Sequence, residues 1–166
     1  MQRVTVCRLK RSLTRLIKAL EKELAIVDQD IDDAVRSSPV WREREDLLKS
    51  VPGAGDVTAR TIIAGLPEIG RLDRREIASL AGLAPYTQQS GKWRGKSFIG
   101  GGRSSVRACL FMAAMVACRH NPVLRLIYQR MTAEGKPKKV AIIAVARKLL
   151  VILNSIIRTK TPWKIA

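Results

Sequence analysis

Acidic residues run out early in this 166-residue chain. Beyond Glu76 a single acid, Glu134, stands against sixteen Lys and Arg. Metal-dependent phosphoryl transfer needs several carboxylates converging on Mg2+, so this region cannot build such a centre alone. Histidine is scarcer still: His120 is the only one, and it precedes Asn121-Pro122 with no acid nearby to orient it. That excludes a serine-hydrolase triad and gives His120 a structural place at a helix end. The three cysteines, Cys7, Cys109 and Cys118, form no CxxC pair. Cys109 and Cys118 are nine apart, on opposite sides of any one helix, so neither a bridge nor a zinc site is indicated and a reducing cytoplasm fits. No P-loop or dinucleotide fingerprint appears, because Gly100-Gly101-Gly102 lacks the flanking strand pattern. The first residues contain no apolar core of signal-peptide length. The longest apolar run, Val140 to Ile157, is interrupted by Arg147, Lys148 and Asn154, which argues for a buried helix and against a membrane span.

What is abundant is positive charge. The formal net charge is +17, and nearly all of it falls after Glu76. A one-sided field of that size attracts polyphosphate and suits a small-molecule pocket poorly. Membrane surfaces usually recruit cations from one amphipathic helix, whereas here they spread over loops and several helices. Nucleic acid is the expected partner. The densest stretch runs from Gly82 to Arg107, where Ser90 precedes a glycine and Lys92, Arg94, Lys96, Arg103 and Arg107 are threaded through glycines without one carboxylate. A hydroxyl attacking a phosphodiester needs backbone freedom around it and fixed positive charge where the phosphorane charge develops. Ser90 is therefore the candidate nucleophile. Lys92, Arg94 and Lys96 are candidates to neutralise the phosphate, with Arg103 and Arg107 next. Ser97, Ser104 and Ser105 are rival hydroxyls, the last two better explained as helix caps.

The chain reads as all-α: a coiled-coil arm over 1–38, then a compact helical domain over 39–166. Leu9, Leu13, Leu16, Leu20, Leu24, Val27 and Ile31 recur at steps of four and three, the stripe of one long helix. Its basic start and acidic end oppose the helix macrodipole, and an antiparallel partner would match basic to acidic. Ser37-Ser38-Pro39 ends it. Val51-Pro52-Gly53-Ala54-Gly55, set between helices, resembles a helix-hairpin-helix turn, with Gly53 and Gly55 allowing close approach of a phosphate and Asp56 capping the second helix. Valine at either glycine is expected to weaken binding and leave the helices intact. Asp73 to Glu76 reads as a capping box. Ser104 or Ser105 caps a helix to Arg119, Pro122 restarts one, and Gly135-Lys136-Pro137-Lys138-Lys139 is a basic turn before a last helix to about Arg158.

These motifs, taken in order, resemble one known family. Val51-Pro-Gly-Ala-Gly-Asp-Val-Thr-Ala59, Ala81-Gly-Leu-Ala-Pro85, Ser90-Gly-Lys92, Gly101-Gly-Arg-Ser-Ser-Val-Arg107, and Gly135-Lys-Pro-Lys-Lys139 followed by Arg147-Lys-Leu-Leu150 are similar to the C-terminal serine domain of the insertion sequence 110 family of transposases. The resemblance covers essentially everything after Arg8. It implies a bacterial, cytoplasmic, nucleoid-associated DNA recombinase that cuts and rejoins through a covalent phosphoserine at Ser90. It also implies DNA, a structured guide RNA and further copies of the chain as partners. Lys136, Lys138 and Lys139 join the nucleic-acid-binding set. Mg2+ is expected only through a resolvase-like carboxylate domain that this sequence does not contain. The isolated chain is accordingly expected to bind DNA without cutting it. The alternative is a non-catalytic nucleic-acid-binding remnant that inhibits intact transposase.

Overall fold

The computed structural model describes residues 2–87, 89–90, 93–94 and 97–164, with side chains for 8–87 and 97–164. The chain divides into two compact units, Met1–Arg42 and Glu43–Ala166. The first is dominated by α1 (Gln2–Ser37), 36 residues long and therefore about 54 Å from end to end. Its stripe of Leu9, Leu13, Leu16, Leu20 and Leu24 is exposed along the whole length, with Leu20 at 69%. The helix stops where Ser38 interrupts it, and α2 (Pro39–Lys49) starts on the proline, as a fixed proline φ favours.

Among the described residues the second unit is all-α apart from two short ladders. Its helices are the end of α2, α3 (Asp56–Gly65), α4 (Arg74–Leu80), α5 (Ser104–His120), α6 (Pro122–Ala133) and α7 (Lys138–Thr159). The apolar run of α7 is explained by its place: it packs on α4, α5 and α6, while α3 packs on α5. Ile62, Leu110, Leu124, Leu149, Leu150 and Leu153 are completely buried there, each side chain stabilising the fold by about 1.5–3 kcal/mol. Asn154 interrupts the apolar run for a reason. Its Oδ1 accepts from Gly70 N–H (2.7 Å) and its Nδ2 donates to the Leu72 carbonyl (2.9 Å), tying α7 to the turn before α4.

Local sequence signals account for most helix ends. Asp73 accepts from the Arg75 and Glu76 amides at 2.6 and 2.7 Å, and Glu76 accepts from Asp73 N–H at 2.9 Å, completing the expected capping box. Asn121 caps α6 by accepting from Val123 and Leu124, with Pro122 in the first turn, and this leaves His120 at the end of α5. Two caps differ from the sequence reading. The cap position of α3 is Gly55, and Asp56, one residue inside, forms an ion pair with Lys49 that lowers its pKa. The cap position of α5 is Arg103, without a side-chain hydrogen bond, so neither Ser104 nor Ser105 caps that helix.

Candidate nucleic-acid interface

The glycine-rich segment leaves the helical body and returns to it at one point. After α4 the chain reverses at Gly82 (φ +68°), whose N–H donates to Ser79 C=O (2.9 Å), while Leu83 N–H donates to Ala78 C=O (2.8 Å). These two bonds form a Schellman motif, and the Leu83 side chain closes it by being buried. Pro85–Tyr86 (β1) then pairs antiparallel with Phe98–Ile99 (β4). Further out, Gln89–Ser90 (β2) pairs with Trp93–Arg94 (β3), placing Ser90 opposite Trp93 and Gln89 opposite Arg94. The returning strand reaches Gly101 (φ +63°) and Gly102 (φ +61°), and Arg103 N–H donates to Leu80 C=O at 2.9 Å. A Cβ on Gly102 would collide with Gly82 and the Leu80 carbonyl, and one on Gly82 with the Gly101 carbonyl. Backbone passes against backbone here, and only glycine fits.

Two arginines fasten this crossing. Arg103 grips Glu68 through both terminal nitrogens (2.6 and 2.7 Å) and also donates to the Gly65 carbonyl (2.8 Å). The guanidinium holds the Glu68 carboxyl down at about 2, against an ordinary 4.5, so the pair stays ionised throughout the neutral range. Arg107, one turn along α5, donates to the Gly101 carbonyl. Of the five cations expected around a phosphate, these two hold the base of the loop in place. For Arg94, as for Ser90, the described part is the backbone, and Lys92 and Lys96 lie outside the described residues.

The basic turn before α7 is a different case. Lys136 pairs with Glu134 at 3.2 Å. Lys138 and Lys139 are exposed in the first turn of α7, which has no acidic residue and no side-chain cap. Among the described residues neither lysine has an ion-pair partner. Cations at a helix N-terminus oppose its dipole, and an incoming anion relieves both the charge and the open amides. Lys139 lines one cavity with Ser97 and Phe98, so the start of α7 and the root of the loop share a surface. Gly53 and Gly55 line another groove, with Met112 and Val116 of α5.

The two hairpin glycines do different things. Gly53 (φ +106°) sits against α5, where a Cβ would lie 2.6 Å from the Ala117 Cβ and 2.8 Å from its Cα. Valine there should break the packing and lower the thermal midpoint, contrary to the expectation that helices stay intact. Gly55 has open space around its Cβ direction. Gly55→Val should therefore keep the helical circular dichroism, with only the small loss of stability that valine brings at a cap position, and reduce DNA affinity severalfold; unchanged affinity would make the turn a simple connector.

Among the described residues no three of His, Cys, Asp and Glu cluster, and Cys109 and Cys118 are free thiols. Sequence reasoning missed Glu68, which is 35 positions from its partner Arg103, and the Tyr86–Phe98 ring pair, with centroids 6.3 Å apart. The only sequence signal for the latter was two aromatics flanking the basic loop.

Several known proteins are similar to this chain. The pilin gene-inverting protein of Moraxella bovis is 34% identical over 141 residues, covering 82% of this chain and 44% of that protein. The insertion element IS900 42 kDa protein of Mycobacterium paratuberculosis is 30% identical over 152 residues, covering 88% and 36%. The insertion element IS110 43.6 kDa protein of Streptomyces coelicolor is 26% identical over 152 residues, covering 90% and 36%. The chain thus spans less than half the length of these relatives. Residues 45–129, from late α2 into α6 and including the glycine crossing, match the pattern of the Transposase IS116/IS110/IS902 family. By that match, over half of its length, the chain belongs to the Transposase IS116/IS110/IS902 family.

Proposed function

We propose that this chain is the DNA-handling, serine-bearing part of a site-specific transposase. Family membership makes DNA the partner, and the name of the Moraxella relative describes inversion of a gene, which requires strands to be cut and rejoined. The observation that carries the reading is the glycine-clamped loop: a short ladder that includes Ser90 lies, along the chain, between the two strands that meet at the glycine crossing, in a stretch of sequence with almost no acid. The Ser90 hydroxyl bonds to phosphorus, the phosphorus–oxygen bond to one sugar breaks, the serine proton passes to a base, and the leaving sugar oxygen gains a proton. The resulting phosphoserine diester preserves bond energy, so the reverse attack by a sugar hydroxyl rejoins the strand. The base, and any Mg2+ it works with, belong to a carboxylate domain outside this sequence. Lys92, Arg94 and Lys96 neutralise the reacting phosphate; Lys138 and Lys139 hold the flanking backbone. A structured guide RNA is the second nucleic-acid partner, and α1 joins copies of the chain.

Binding should be strongly salt-dependent. Each phosphate neutralised steepens log affinity against log salt by about 0.9 for duplex DNA. Anisotropy titrations between low and physiological salt should give a slope of several such increments, and a flat line would remove nucleic acid as the partner.

A further inference from the structure

A cavity of about 520 Å³ opens at the root of the Ser90 ladder. Leu83, Phe98 and Ile99 line it from the loop side, and Val140, Ile143 and Ala144 from one face of α7. Its walls are apolar, yet among the described residues two cations, Lys139 and Arg147, stand in its lining with Ser97, and no acid does. Eight residues along α7 separate these cations, about 12 Å of helix rise. Neither has an ion-pair partner among the described residues. Phe98 is half exposed, at 49%, and its ring leans on Tyr86.

An apolar slot with an open aromatic ring and unpaired cations fits one class of ligand closely. Nucleobases are flat and apolar on their faces, and their strand carries a phosphate on either side; aromatic rings stack bases of any sequence. A lipid or an apolar peptide would use the walls and leave Lys139 and Arg147 without counter-charge. An acidic small molecule would use the cations and leave the walls wet. We propose that this cavity receives one unstacked base of a DNA strand, with Phe98 against its face and the adjoining phosphates on Lys139 and Arg147. The proposal rests on the nucleic-acid function above and adds where a base leaves the stack. A base drawn from the helix beside Ser90 opens the backbone locally, and unstacking of this kind is easiest where the duplex is already distorted.

The test compares two labelled single strands of equal length and charge: an oligothymidylate and a strand of abasic sugars. Wild-type protein should bind the oligothymidylate at least about fivefold tighter. Phe98→Ala, which removes the stacking face, and Ala144→Met, which fills the slot, should each reduce that ratio to about one. Affinity for the abasic strand and its salt slope should stay as in wild type. If Ala144→Met does not fold, the exposed Phe98 position carries the comparison alone. Equal wild-type affinity for the two strands overturns the base pocket and leaves the DNA-binding reading standing, with the slot open to an apolar segment of another protein. A preference that survives Phe98→Ala also overturns it. Failure to bind either strand at low salt overturns both readings.

Discussion

Ser90→Ala is expected to abolish the covalent protein–DNA adduct proposed above, assayed with a resolvase-like carboxylate domain supplied in trans. The adduct is read as a band that survives a denaturing gel. Nothing replaces the lost oxygen, so the loss should be complete to the limit of detection. Affinity for the same DNA should stay within about threefold, because one hydroxyl adds little to a binding surface built on charge. Ser97, exposed and lining the cavity at the loop root, is the control. Should the adduct persist in Ser90→Ala and vanish in Ser97→Ala, the nucleophile moves by seven residues. Without the added domain, wild-type chain should bind DNA and leave it intact. Robust cutting by the chain alone would place an acid–base apparatus within its own residues.

Leu16→Lys should dissociate the arm. Leu16 lies mid-stripe at 59% exposure, between Leu13 and Leu20, which are also exposed. A second copy running antiparallel would bury this row and set the basic start of α1 against its acidic end. Each leucine fully buried contributes about 1.5–3 kcal/mol, so a lysine in the seam should weaken association by more than about tenfold. Sedimentation at tens of micromolar, as an order of magnitude, should then show a multimer for wild type and a lower mass for the variant. A wild-type monomer, or an unaltered mass in Leu16→Lys, would refute the association.

The helices were legible because their signals are local. The leucine stripe, the Asp73–Glu76 box, and Pro39 and Pro122 at helix starts each act within one or two turns, and each element lies where its signal put it. The two short ladders were not legible. Two-residue strands carry no period, and Pro85 meets Ile99 across a gap that no neighbouring residue reports. The same distance problem hid the fate of Arg103: a cation in a basic loop reads as free until Glu68 arrives from 35 positions away. Gly53 misled in the opposite direction. A glycine that permits close approach announces nothing about what approaches, and here it is the Ala117 backbone of α5. Asp56 and Ser104 failed as caps because the preceding residues, Gly55 and Arg103, already hold the extended conformation of the cap position. For Ser90 the sequence supplied the hydroxyl and the surrounding charge, and the fold adds a paired backbone at its root.

The glycine crossing and the β1–β4 pairing that follows it make the segment between Tyr86 and Phe98 a graft site. Entrance and exit touch, so the join between α4 and α5 has the same geometry whatever length of chain is spliced between them. Doubling such an insert costs only about 0.6 kcal/mol of closure entropy. A hairpin of another length or sequence can therefore be exchanged at this point without redesigning the helices beneath it.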